Sequence, residues 1–303
     1  MDNMRGIMLM VLGMLGFAGE DMFIKLAAAS GLPVGEILMI LGFAGALMFT
    51  AYAVFKGTSV VSKGFFHPAV VIRNLTEMIG GVCFVTALSL IPLATATTIL
   101  QATPLLVTMG AALVLGEAVG WRRWTAILVG FFGVVLVIRP GLDGFEPEVL
   151  WAVAGVIGLA IRDLASRKVP KTTTSLQLSA WGFFSVGVSG AALLAIEGGA
   201  VVPSLQETSY MAGALSVGVL AYWALTEATR IGEISVVTPF RYSRLVFSTI
   251  VGMLVFSEFP DVFTLTGAGI IIATGLYTIM RERKRRRDAA MKASTVTPAA
   301  PAA

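Results

Sequence analysis

The chain has 303 residues, 56% of them hydrophobic and 13% charged, with mean hydropathy +0.86; a soluble domain carries about 25% charge, so composition alone places it in a lipid bilayer. One histidine, His67, and one cysteine, Cys83, exclude an intrachain disulfide and leave no material for a metal site or a histidine-based catalytic constellation. The net charge of +4 does not mark a nucleic-acid binder, because most of the excess sits in Arg281-Glu-Arg-Lys-Arg-Arg-Arg287, directly after an apolar segment, where a juxtamembrane stop signal belongs.

A spanning helix needs about 20 mostly apolar residues. That rule predicts ten spans, at 6–27, 34–55, 69–91, 94–117, 122–138, 149–166, 175–196, 209–229, 232–257 and 262–280. Turn residues punctuate the short connections, as in Gly31-Leu-Pro33, Ile91-Pro92 and Arg139-Pro-Gly141. The runs are too long and too little alternating for the strands of a barrel. The expected fold is therefore an all-α membrane protein.

The first span carries Glu20, Asp21 and, one turn on, Lys25. Arg5 ahead of an apolar run and the small residues Ala27-Ala-Ala-Ser30 imitate a signal peptide. The two acids interrupt that run, so the segment reads as a true span. Carboxylates at this depth are costly and require partners or a task. The third span holds Arg73, Asn74 and Glu77. Arg73 and Glu77 are spaced i, i+4, either as a self-neutralising pair or as a gate that opens when Glu77 takes up a proton. On the fourth span Thr97, Gln101, Pro104 and Thr108 form one polar stripe, suited either to hydrogen-bonding a substrate or to bonding neighbouring helices.

Arg162, Asp163 and Arg167 stand near the end of the sixth span. The ninth is the most informative, with Thr238, Pro239, Arg241, Tyr242, Arg244 and Ser248. Two guanidiniums at that depth each cost at least ~2.5–3.5 kcal/mol on insertion scales unless paired or hydrated. Arg241 and Arg244 therefore either grip an anionic group of a substrate or pair with Glu77, Glu20 or Asp21. Tyr242 is a candidate to stack on or hydrogen-bond that substrate. Pro104 and Pro239 are structural breaks within their spans. Glu117 and Glu258 close the fourth and ninth spans; their expected role is structural, each stabilised by the dipole of the helix that follows. Gly42, Gly45, Gly80, Gly81, Gly130 and Gly133 let helices approach closely. Residues 281–303 are expected to form a basic, disordered cytoplasmic tail.

The chain also repeats itself. Gly16-Phe-Ala-Gly-Glu-Asp-Met-Phe-Ile-Lys25 returns 142 positions on as Gly158-Leu-Ala-Ile-Arg-Asp-Leu-Ala-Ser-Arg167. At an offset of 141, Ala87 meets Ala228, Thr97 meets Thr238, Thr108 meets Thr249 and Glu117 meets Glu258. Two five-helix units follow, 6–138 and 149–280. Five is odd, so the second must enter the membrane inverted, a common build for secondary transporters. The acid pair then lies at opposite mouths. Asp21 beside Lys25 and Asp163 beside Arg167 are either helix-end anchors or matched gates, with Glu20 opposite Arg162 breaking the symmetry.

Basic residues orient the chain with both termini cytoplasmic. The inner connections carry Arg5, Lys56, Lys63, Arg122, Arg123, Arg167, Lys168, Lys171, Arg230 and the C-terminal cluster; the outer ones carry only Lys25 and Arg139.

The endings Leu115-Gly116-Glu117 and Phe256-Ser257-Glu258, the Ala87…Thr97 and Ala228…Thr238 segments, the Asp21…Lys25 pattern and Gln101-Ala-Thr-Pro104 resemble the ten-helix, EamA-domain branch of the drug/metabolite transporter superfamily. The second half has Leu245 where the first has Pro104. The second span, Ile37-Leu-Met-Ile-Leu-Gly-Phe43, lacks the arginine many members carry there, so no role of that arginine transfers. The resemblance implies a transporter of the inner (cytoplasmic) membrane, working as a monomer or homodimer. It leaves open whether amino acids, vitamins, nucleoside-like metabolites or drugs are carried, and in which direction.

The expected activity is secondary transport of a small organic metabolite by alternating access, with Arg241, Tyr242, Arg244, Gln101, Thr97 and Thr238 at the substrate. Gating or coupling falls to Glu20, Asp21, Lys25, Arg162, Asp163, Arg167, Arg73 and Glu77. No Gly-x-x-x-x-Gly-Lys motif is present, so an ion or solute gradient, protons included, drives transport. No cofactor is expected. The competing reading is a membrane-embedded enzyme or a sensor subunit; the first lacks a nucleophile–base pair and the second has no need of intramembrane charges.

Overall fold

The computed structural model describes residues 2–117, 119–141, 145–231 and 234–296. Its helices are α1 (Asp2–Ala29), α2 (Val34–Phe55), α3 (Pro68–Leu90), α4 (Leu93–Leu100), α5 (Thr103–Val114), α6 (Trp121–Ile138) and α7 (Val149–Ser166). Then follow α8 (Ser175–Glu197), α9 (Leu205–Ile231), α10 (Ile234–Val237), α11 (Ser243–Val255) and α12 (Val262–Val296). No strand occurs among the described residues. Nine spans among them are long and apolar enough to cross a membrane, α4 and α5 together forming one. The expected ninth span is broken into α10, a 3₁₀ turn at Thr238–Tyr242 and α11. The last helix continues to Val296, so residues 281–296 are helical where a disordered tail was expected; 297–303 lie outside the described residues.

Local chemistry explains the ends and breaks. His67 caps α3 by accepting the Ala69 amide on Nδ1 at 3.2 Å, with Pro68 in the first turn. Thr174 and Gln177 form a reciprocal capping box on α8. Pro104 has no N–H to offer the Leu100 carbonyl one turn earlier. The Thr103 hydroxyl donates to that carbonyl instead, and the fourth span breaks at Gln101 and Ala102.

α5 and α11 end alike. Residues Gly116 and Ser257 adopt left-handed conformations, with φ of 68° and 55°. The following amides turn back six residues, Glu117 N–H to Ala111 O at 3.1 Å and Glu258 N–H to Gly252 O at 3.0 Å. Both helices therefore close on a left-handed residue just past their last turn, and each presents a glutamate at the mouth of a span. Ser257 bears a left-handed cost of roughly 1–2 kcal/mol that glycine avoids. Ser257→Gly is therefore expected to raise stability by about 1 kcal/mol in thermal unfolding of detergent-purified protein, and Gly116→Ser to lower it by a similar amount.

Packing crosses between the two halves of the sequence. α1 lies on α9, α2 on α8, α3 on α7, α4 on α11 and α6 on α12. Backbones touch at several crossings. A Cβ on Gly42 would run into the backbone of Gly187, and one on Gly158 would come within 2.9 Å of Gly80 Cα. Large apolar side chains such as Leu47, Phe55, Phe132 and Leu254 point outward. That exposure suits hydrocarbon, not water, and the protein is a multi-pass membrane protein.

Candidate functional site

The charges expected at membrane depth gather in two clusters. Arg244, on the first turn of α11, forks onto Asp21 of α1 with Nη2 at 2.8 and 2.7 Å from the two carboxylate oxygens and Nε at 3.2 Å. Its guanidinium also lies 5.2 Å from the Phe17 ring centroid. Asp21 is only 3% exposed. Of the partners foreseen for the arginines, Asp21 is the one Arg244 takes, and the fork geometry is what guanidinium offers and an ammonium does not.

A second cluster joins α3 to α7. Arg162 Nη1 contacts Glu77 at 2.8 Å and its Nη2 contacts Asp163 at 2.8 Å. Glu77 also receives Arg73 at 3.3 Å across the foreseen i, i+4 spacing. Arg73 donates to Asn74 Oδ1 at 2.9 Å and lies against Gly182 of α8. Glu77 is thus shared between two arginines, and the Arg73–Glu77 pair is not self-contained. Beside it Ser179 and Tyr222 share a hydrogen bond of 2.7 Å. Neither Asn74 as the arginine's acceptor nor the Ser179–Tyr222 bond carries a motif that sequence reading could use.

Arg241 stands between the two clusters, within electrostatic range of Asp163, Arg162 and Arg244. Its side chain is exposed and makes no hydrogen bond or ion pair with the described residues. Its backbone carbonyl accepts Gln101 Nε2 at 3.2 Å. The break in the fourth span is thereby tied to the break in the ninth. A 3₁₀ turn inside a span leaves backbone groups outside the α-helical ladder, and irregular backbone at this depth is tolerated where it lines a cavity.

Other foreseen site residues sit elsewhere. Thr97 is fully buried, its hydroxyl donating back to the Leu93 and Ala94 carbonyls at 2.8 and 3.2 Å. Tyr242 packs its buried hydroxyl against Gly275 of α12. Thr238 is half-buried at the start of the 3₁₀ turn. Glu20 lies with its carboxylate over Gly218, 2.6 Å from where a Cβ would stand, and has no hydrogen bond within the described residues.

The pairs drawn from sequence spacing at the two mouths are corrected. Lys25 does not pair with Asp21; its Nζ reaches Glu258 at 2.7 Å and the Ile91 carbonyl at 2.6 Å, 5.3 Å from the Phe256 ring centroid. Arg167 pairs with Glu117 at 2.8 Å, not with Asp163. The i, i+4 partner lost each time to a glutamate of the other half, set by a left-handed residue at the end of its own helix. Glu258 also accepts the Leu93 amide at 2.7 Å, so it caps α4 and not the helix after it. The α12 N-terminus is served by Asp261, which accepts the Thr264 amide at 2.7 Å.

The family model described as "EamA-like transporter family" matches residues 4–139 and again 147–280. The chain is 32% identical over 232 residues to a protein of Rickettsia bellii named S-adenosylmethionine uptake transporter, covering 76% of this chain and 77% of that one. A riboflavin transporter of Rhizobium johnstonii is 28% identical, with 72% and 73% covered. The pseudopaline exporter CntI of Pseudomonas aeruginosa is 26% identical, with 92% and 97% covered. A solved crystal structure superposes with a TM-score of 0.57 at 22% identity over 90% of this chain and 98% of that one, a likeness of fold alone. These relatives point to transport, not to enzymatic chemistry.

Proposed function

Because the chain belongs to the EamA-like transporter family, we propose that it moves a small organic metabolite with an anionic group by alternating access, using Arg241 to hold that group. The observation that carries this reading is the unpaired guanidinium. Arg73, Arg162 and Arg244 each have carboxylate partners, and Arg241 has none among the described residues. A permanent cation left unpaired beside two satisfied clusters has its counter-ion to gain from a ligand.

The pairing of helices across the halves supports two inverted repeats, 6–138 and 149–280. Exchanging each span for its counterpart in the other half turns the α1–α9 contact into the α7–α3 contact, the α1–α11 contact into that of α7 with α4 and α5, and leaves the α2–α8, α4–α11 and α6–α12 contacts as they are. The basic connections support an inner-membrane placement with both termini cytoplasmic.

S-adenosylmethionine, named for the relative of highest identity among the three described above, has a carboxylate for Arg241, whereas riboflavin does not, so S-adenosylmethionine is taken as the first candidate. Glu20, a carboxylate without a hydrogen bond next to Asp21, is the group best placed to carry a coupling proton. Purified protein in proteoliposomes is expected to catalyse counterflow of labelled S-adenosylmethionine, and to accumulate it under an imposed pH gradient. Glu20→Gln should keep the counterflow and lose the gradient-driven accumulation. No counterflow, and no thermal stabilisation by carboxylated metabolites in a ligand screen, would sink the anion reading. Equal accumulation with and without the gradient would remove the proton.

A further inference from the structure

Two ion pairs occupy equivalent places in the halves and lie at opposite ends of the molecule. Lys25 and Arg167 are counterparts at an offset of 142, Glu258 and Glu117 at an offset of 141. Each pair joins one half to the other, Lys25 to Glu258 and Arg167 to Glu117. Glu258 caps Leu93 at the start of the fourth span, while Glu117 follows its end. That span runs 22 residues, Leu93–Val114, which separates the two pairs by roughly 33 Å at 1.5 Å per residue.

The pairs match in sequence and differ in state. At the first, Lys25 and Glu258 side chains are 11% and 20% exposed, and the Ile91 carbonyl, the Leu93 amide and the Phe256 ring complete the cluster. It fastens α1 to the end of α11 and to the link between α3 and α4. At the second, Arg167 and Glu117 are 47% and 44% exposed and share one contact of 2.8 Å. A fully furnished ion-pair cluster at one end faces a solvated single pair at the other.

We propose that these pairs are the two gates, and that the structure holds the molecule firmly sealed at the Lys25 end and, at the Arg167 end, latched only by a single solvent-reached ion pair. The proposal rests on the transport reading above. Inverted halves require it in this form: a contact between halves at one face must loosen as its counterpart at the other face consolidates. The left-handed turns at Gly116 and Ser257 set the two glutamates at the ends of broken spans, so a tilt of α5 or α11 about its break carries the glutamate toward or away from its basic partner. The state with the Arg167 end sealed would place Glu117 over the N-terminus of the ninth span, as Glu258 now sits over α4.

Site-directed thiol labelling tests this without a substrate. In a Cys83→Ala background, Gln101→Cys puts one thiol where the broken spans cross, and an impermeant maleimide is applied from either face of oriented proteoliposomes. Labelling is expected from the Arg167 face. Adding Glu258→Gln should raise labelling from the Lys25 face at least fivefold and lower it from the Arg167 face. Glu258→Asp, which keeps a carboxylate for the Lys25 ammonium and the Leu93 amide, should retain more of the original sidedness than Glu258→Gln, which also guards against simple misfolding. Unchanged sidedness in Glu258→Gln, or a rise from both faces at once, would overturn the proposal. An absence of S-adenosylmethionine counterflow would leave this result untouched, so the two readings fail separately.

Discussion

Asp21→Asn is expected to be the most destabilising single polar substitution in the molecule, costing about 3–5 kcal/mol because it leaves the Arg244 guanidinium unpaired at membrane depth. The fork of Arg244 on Asp21 is complete, with contacts of 2.7, 2.8 and 3.2 Å on a carboxylate only 3% exposed. The reciprocal change, Arg244→Gln, should cost less. An orphaned aspartate can take up a proton and become neutral, whereas a guanidinium cannot shed its charge. Removing both charges in Asp21→Asn with Arg244→Gln should recover more than half of the loss, since a buried pair replaced whole is close to neutral. Thermal unfolding of the four proteins in one detergent gives the double-mutant cycle. Single variants within about 1 kcal/mol of the parent would mean the pair is solvated and the site far wetter than its burial indicates.

The sequence foretold the spans well and the partners of charged residues poorly, for a physical reason. Spans follow from hydropathy, which each segment carries by itself. The fourth and ninth spans announced their breaks through Pro104 and Pro239, and both break there. Ion-pair partners depend on which helices become neighbours, and local spacing misleads. Lys25 stands four residues after Asp21 and Arg167 four after Asp163, yet both reach across to the other half. The signal that could have found them was in the repeat itself. Lys25 and Arg167 recur together with Glu258 and Glu117, so the inverted units had offered both cross-pairs at once. The placement of the Tyr242 hydroxyl against Gly275 likewise depends on which helix stands beside the 3₁₀ turn, which local spacing does not carry.

Arg241→Gln should behave oppositely to Asp21→Asn, sparing the fold and losing the ligand. Arg241 makes no side-chain bond within the described residues, and only its backbone carbonyl is engaged, by Gln101. A glutamine keeps that carbonyl. Unfolding should therefore stay within about 0.5 kcal/mol of the parent, the range of substitutions that break no named interaction. Affinity for a carboxylated ligand should fall about 100-fold, the equivalent of ~2.7 kcal/mol, within the range for a charge-assisted hydrogen bond. Arg241→Lys separates charge from shape. An ammonium keeps the attraction and loses the fork, so affinity should fall by roughly tenfold. Isothermal titration in detergent with S-adenosylmethionine and with its carboxyl methyl ester gives the matched control. The ester should bind parent and Arg241→Gln alike, because it lacks the group that Arg241 holds. Normal carboxylate affinity in Arg241→Gln would move anion recognition off this residue. Loss of affinity together with loss of stability would make Arg241 a structural charge whose partner lies outside the described residues.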